Sequence, residues 1–142
     1  MSHSYTKIWL HVVFSTKNRS RIITGDLEKK LHWHLKGKFT ELGSPALAIN
    51  GMEDHIHALF LLNPHRLAGD VINAVKKESS NWINQNDLTL KPFSWENGFG
   101  CFSVSESMVP EVESYIKGQK NYHQNKNFDD EFTLMLKKYK LS

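Results

Sequence analysis

Two histidines stand one residue apart in Asp54-His55-Ile56-His57, within the apolar run HIHALFLL. Alternate side chains of a strand leave the same face, so an extended chain here presents His55 and His57 as neighbouring imidazoles. That is the spacing of a two-histidine metal site. The apolar setting strengthens it, because a polar group buried without a partner costs free energy and one ion partners both rings. Two polar residues on a solvated sheet face are the competing reading. Tyr115 and Gln119 are four apart in a stretch with helical character and therefore share a helix face. Two imidazoles and one amide oxygen leave coordination positions open on a divalent ion. The mixed nitrogen and oxygen set suits Mg²⁺ or Mn²⁺ with phosphate oxygens completing the shell, and no thiolate favours zinc. An ion held there polarises a phosphodiester, and Tyr115 is the nucleophile such a site would serve. An aryl phosphodiester stores the energy of the broken bond for a later rejoining step. Against this, Tyr115 also suits a core edge beside Val112 and Ile116, and Gln119 a solvated surface.

These residues need elements to hold them. Residues 7–15 (KIWLHVVFS) are rich in β-branched and aromatic side chains and run into a basic polar stretch, residues 16–21, so they read as strand then loop. Asp26 opens a helix on which Leu27, Leu31, Leu35, Phe39 and Leu42 recur at helical spacing, and Gly43 supplies the stop. Residues 45–62 hold two short apolar runs separated by residues 51–54, a β-hairpin pattern. Its second run is apolar on both faces, as a central strand is. Leu67, Val71, Ile72, Val75, Trp82 and Ile83 mark a second amphipathic helix, FSWENGFGCFSVS a fourth strand region, and residues 109–124 a third helix with Pro110 in its first turn. The order predicts an α+β fold of the ferredoxin-like split βαβ kind. Its four-stranded antiparallel sheet carries helices on one face, and a C-terminal catalytic helix bears Tyr115.

Composition narrows the function classes. The chain has 142 residues, 39% of them hydrophobic, enough for one core and one domain. Its 18 basic and 15 acidic residues leave a formal charge of +3, a mild excess that a phosphate backbone attracts. The lone Cys101 allows neither an internal disulfide nor a cysteine-rich zinc site, which fits a reducing compartment and makes the cytoplasm the expected location. MSHSYTKIWLHVVF lacks the layout of a secretory signal, no run of about 18 apolar residues occurs, and a membrane role is not expected. No repeat, linker or low-complexity tract interrupts the pattern.

The motifs together resemble the HUH superfamily, in which two histidines flank a hydrophobic residue, and within it the single-tyrosine transposases of short bacterial insertion sequences. KIWLHVVFSTKNR is similar to that family's first strand and basic loop, GMEDHIHALF to its histidine strand, WENGFGCFSVSES to the segment before its catalytic helix, and YIKGQKNYH to its tyrosine motif. The resemblance covers essentially the whole chain and implies a single HUH transposase domain over residues 1–142. It implies that His55, His57 and Gln119 bind the metal and that Tyr115 attacks single-stranded DNA at hairpin-containing element ends. The product is a 5′-phosphotyrosine and a free 3′-hydroxyl, followed by strand exchange. It also implies a homodimer in which the tyrosine helix of one subunit can complete the histidine site of the other. Gly118 stands where asparagine is expected, and Gln124 follows His123 where a second histidine is common. Candidate DNA contacts are Lys17, Arg19 and Arg21 after the first strand and Lys76 and Lys77 on the second helix, each of which also suits a solvated surface. Trp33 suits packing, His11 faces the sheet near the site, and His3, His65 and His123 are given no role.

A non-catalytic module that binds single-stranded nucleic acid on a ferredoxin-like sheet is the rival class. Gly98-Phe99-Gly100-Cys101-Phe102 echoes the aromatic signature of RNA-recognition sheets only faintly, without its leading basic residue. A histidine-triad protein wants a further histidine where Leu59 stands, and two-histidine phosphoesterases want a second H-x-S/T that is missing. The imidazole cluster predicts that activity falls below about pH 6, where protonated rings release metal.

Overall fold

Alternation along the two central strands decides what each face of the sheet becomes. In the computed structural model, which describes residues 3–141, β1 (Trp9–Ser15) and β3 (His55–Leu61) are the inner strands. They are flanked by β2 (Ala46–Met52) and β4 (Gly100–Val104) in the order β2-β3-β1-β4, every pairing antiparallel. Leu10, Val12 and Phe14 of β1 and Ile56, Ala58 and Phe60 of β3 share one core. They pack against Leu31, Leu35 and Phe39 of α1 (Gly25–Glu41) and Val71, Ile72, Val75 and Ile83 of α2 (Ala68–Gln85). Residues of the opposite parity, including Val13, Leu59, His11, His55 and His57, are buried as well. The second face is therefore covered too.

That cover is C-terminal. Val109 and Ile116 of α3 (Val109–Lys117) pack over Leu59 and Val104. After α4 (Gln119–Tyr122), Phe128 of α5 (Phe128–Lys138) packs with Phe132, Met135 and Leu136 over Val13 and Phe102. Gly100 makes this approach possible: an added Cβ would fall 2.7 Å from Phe132 Cε1. Gly51 does the same for the β2–β3 hairpin, where a Cβ would sit 2.0 Å from the His55 carbonyl oxygen. The split βαβ arrangement with a four-stranded antiparallel sheet is the one the order of elements predicts. α1 and α2 share one face, and the helix that carries Tyr115 lies across the other.

Three details differ from the sequence expectation. The fourth strand is confined to Gly100–Val104, with Trp95 forming only an isolated bridge to Thr16. The expected third helix is interrupted at Gly118, which ends α3 and precedes α4. α5 was not expected. Its signals are an Asn127 cap accepting from Asp130 N at 2.8 Å, acidic Asp129, Asp130 and Glu131 in the first turn, and apolar positions at 128, 132, 135 and 136. The expected domain over residues 1–142 runs past the described residues at both ends. No helix among the described residues is long and apolar enough to cross a membrane.

Candidate metal and nucleophile site

Strand geometry turns His55 and His57 toward α3 to α5, and both are fully buried. Each ring is oriented from behind. His55 Nδ1 lies 2.8 Å from Asp54 Oδ1, and His57 Nδ1 lies 2.8 Å from Nε2 of His11, its diagonal neighbour on β1. Both Nε2 atoms are thereby aimed at the C-terminal helices. Gln119, fully buried, brings Oε1 to 3.0 Å from His55 Nε2. Glu131 of α5, also fully buried, places Oε1 at 3.1 Å from His57 Nε2 and 3.3 Å from His55 Nε2. Its Oε2 accepts from the Gln119 amide at 2.8 Å and from the Tyr115 hydroxyl. His123 closes the ring, with Nε2 at 2.9 Å from Gln119 Oε1 and 3.0 Å from Glu131 Oε1.

Burial and charge set the protonation states. Burial resists charging His55, but hydrogen bonds to Asp54, Glu131 and Gln119 outweigh it and lift the ring to about 9. His57 is pushed down by burial despite the Glu131 carboxylate, and His11 falls to about 3 through burial and the neighbouring His57. Burial opposes ionisation of Glu131, yet its hydrogen bonds to His55, His57 and Tyr115 hold the carboxyl well below the usual range. The Tyr115 phenol is raised by burial and then by Glu131, so at rest it keeps its proton.

The donor set fits a cation. With its Nδ1 proton directed at Asp54, a neutral His55 turns an electron pair toward Gln119 Oε1, itself an acceptor. His55, His57 and Glu131 offer ligand atoms all within 4.8 Å of one another. An ion between them would resolve the confrontation.

The four residues singled out by spacing, Tyr115, His55, His57 and Gln119, are thus gathered in one chain, the Tyr115 and His57 ring centroids being 5.7 Å apart. Glu131 and His123 were missed. His123 stands four residues after Gln119, the spacing that selected Gln119 itself, and Glu131 lies in the overlooked helix. Lys76 is a correction. Expected to touch DNA, it is buried, with its ammonium 2.8 Å from the Glu96 carbonyl and 2.6 Å from that of Gly98. Arg19 pairs with Asp129 and lies 4.8 Å from the Phe128 ring, tying the basic loop to α5. Lys17, Arg21 and Lys77 are exposed. Trp33 is 80% exposed on α1, whereas its neighbour His34 stacks on Trp82.

Comparison with known proteins returns one family. Residues 4–119 match the model of IS200-like transposases. The ISDra2 transposase TnpA of Deinococcus radiodurans is 23% identical over 114 residues, 77% of this chain and 81% of that protein. Among solved structures, a chain from Deinococcus radiodurans R1 described as a transposase superposes with a TM-score of 0.67 at 22% identity, over 84% of this chain and 95% of that one. A REP-associated tyrosine transposase bound to a REP hairpin gives 0.62 at 16% identity, over 87% of this chain and 74% of that one. At these identities the structural likeness speaks to the fold. The family match ends at Gln119, short of His123 and α5.

Proposed function

The chain belongs to the family of IS200-like transposases, and from that premise we propose that it cleaves and rejoins single-stranded DNA through a covalent bond between a 5′-phosphate and Tyr115. One observation carries the reading: the Tyr115 hydroxyl points into the same buried cluster as His55, His57 and Gln119, on the carboxylate of Glu131. His55, His57 and Gln119 would hold Mg²⁺ or Mn²⁺, which when bound supplies polarisation of the scissile phosphate and neutralises charge on its oxygens.

The chain's own residues account for the rest. Tyr115 Oη attacks phosphorus, the P–O3′ bond breaks, and the departing O3′ takes a proton from water, so that the leaving strand ends in a 3′-hydroxyl. At rest the buried carboxylate keeps the phenol protonated. As the aryl O–P bond forms the phenol becomes far more acidic, and its proton passes to Glu131 Oε2, which already accepts its hydrogen bond. Asp54 and His11 fix the two imidazoles from behind. The reverse attack by a 3′-hydroxyl on the phosphotyrosine rejoins the strands without outside energy. Exposed Lys17, Arg21 and Lys77 supply phosphate contacts, and Arg19 joins them when released from Asp129. The DNA ends the chain acts on contain hairpins, a reading supported by the relative bound to a REP hairpin. The chain acts as a homodimer in a cytoplasmic setting.

The test is incubation with single-stranded oligonucleotides from the flanks of the chain's own gene, with Mg²⁺ or Mn²⁺, on a denaturing gel. A slow protein–DNA adduct requiring metal and Tyr115 supports the reading. Binding without any adduct returns the chain to the class of non-catalytic modules.

A further inference from the structure

We infer that His123 and Glu131 join His55, His57 and Gln119 in a five-donor site for a first-row transition-metal ion, one that discriminates against Mg²⁺. The inference rests on the metal-binding part of the proposed function and is independent of strand cleavage. It goes beyond the segment that matches the family, since both added residues lie past Gln119.

Hydrogen-bond bookkeeping carries it. A neutral imidazole has one N–H and one lone pair. His55 spends its N–H on Asp54 at 2.8 Å, and His123 spends its own on the Lys126 carbonyl, 2.7 Å from Nδ1. Both Nε2 atoms are then lone pairs. His57 places Nδ1 against His11 Nε2 at 2.8 Å, and donation there leaves its Nε2 a lone pair as well. The Gln119 amide nitrogen donates to Glu131 Oε2, which turns Gln119 Oε1 inward. Glu131 Oε1 points the same way. With every imidazole neutral, five electron-pair donors therefore face one another at separations of 2.9 to 3.3 Å.

Such an unprotonated arrangement is repulsive when empty and favourable around a cation. Ligands bound at about 2.1 Å in neighbouring positions of a six-coordinate shell are about 3.0 Å apart, the spacing these atoms already have. The identity of the donors selects the ion. Mg²⁺ prefers oxygen ligands and sheds water reluctantly, whereas three imidazoles favour the Mn²⁺ to Zn²⁺ series over it. Five protein donors also leave one position free on a six-coordinate ion, room for a single phosphate oxygen. Because Glu131 sits on α5, bound metal also fastens that helix to the sheet.

Metal-free protein is titrated by calorimetry with Mn²⁺ and separately with Mg²⁺, for wild type, His123→Ala, Glu131→Gln and His55→Ala. Melting in chelator checks that each variant folds. Wild type should bind Mn²⁺ at least about 100-fold more tightly than Mg²⁺; His123→Ala should cost Mn²⁺ about tenfold or more while changing Mg²⁺ little, and Glu131→Gln should cost Mn²⁺ about tenfold or more and weaken Mg²⁺ too. Pulsed electron spin resonance of the Mn²⁺ complex should count three bound imidazole nitrogens in wild type. If it counts two, or if His55→Ala loses Mn²⁺ while His123→Ala keeps wild-type affinity, the five-donor site is overturned and the histidine-pair site survives. If wild type binds neither ion, both fall.

Discussion

The Tyr115 hydroxyl donates to Oε2 of Glu131, whose other oxygen lies 3.1 Å from His57 Nε2. One carboxylate thus spans the proposed nucleophile and the proposed metal ligands. It comes from α5, a helix anchored over the sheet by Phe128 and Phe132 and by the Arg19–Asp129 pair. The phenol is positioned by tertiary packing and not by α3 alone.

Glu131→Gln keeps the shape of this link and removes its basicity. Single-turnover cleavage should slow by about 10²- to 10⁴-fold, the usual contribution of a positioned proton acceptor. DNA affinity should hold within about twofold. A Glu131→Gln protein that cleaves at the wild-type rate would show that the phenol proton leaves by another route.

Tyr115 meets the histidines of its own chain. Mixing Tyr115→Phe with His55→Ala protein should therefore leave cleavage below about a tenth of the wild-type level, since neither kind of subunit holds a whole site. Recovery toward a quarter of the wild-type rate on mixing would mean that the tyrosine helix crosses to a partner.

Folded His55 ionises at about 9, above its ordinary 6.5. A raised pKa stabilises the fold fully below the unfolded value and loses that contribution as pH climbs through the folded one. In chelator, the melting temperature should fall by several degrees between pH 6.5 and pH 9.5, and His55→Gln should flatten that slope. Activity should run the opposite way at the acid end, falling below about pH 6 as protons displace metal from the imidazoles. A melting temperature that stays level or rises over the alkaline window would contradict the assignment.

Lys76 and Lys77 are adjacent in sequence and separate in role. Lys76→Ala removes an ammonium from two carbonyls and should destabilise the fold by about 1–3 kcal/mol with no change in the salt dependence of DNA binding. Lys77→Ala should leave stability alone and lower the slope of log affinity against log salt by about 1. Salt titrations beside thermal melts separate the two, and a Lys76→Ala protein with reduced salt slope would restore Lys76 as a phosphate contact.

Much of this site is legible in the chain because its parts obey local periodicities. The two-residue repeat of a strand puts His55 and His57 on one face, and the four-residue step of a helix brings Tyr115 and Gln119 together although Gly118 breaks the helix between them. The sheet follows from the order of elements and from the apolar, two-faced run of β3. Glu131 escapes such reasoning because its importance comes from a long-range docking across β1 and β4, and an acidic residue in a first helical turn otherwise reads as a favourable dipole contact. His123 lies inside the helix expected over residues 109–124 and four residues after Gln119, but Gln124 beside it, where a second histidine is common, draws attention away from it. Lys76 misleads for the opposite reason: its charge is visible in sequence, and the two carbonyls that consume it are not.

Digestion of the protein–DNA adduct, followed by mass spectrometry, tests the central claim most directly. A nucleotide attached through its 5′-phosphate to the peptide containing Tyr115, and absent from Tyr115→Phe protein, is the result this structure predicts. Attachment to Tyr122 or to any other residue, or an adduct that survives in Tyr115→Phe, would contradict it.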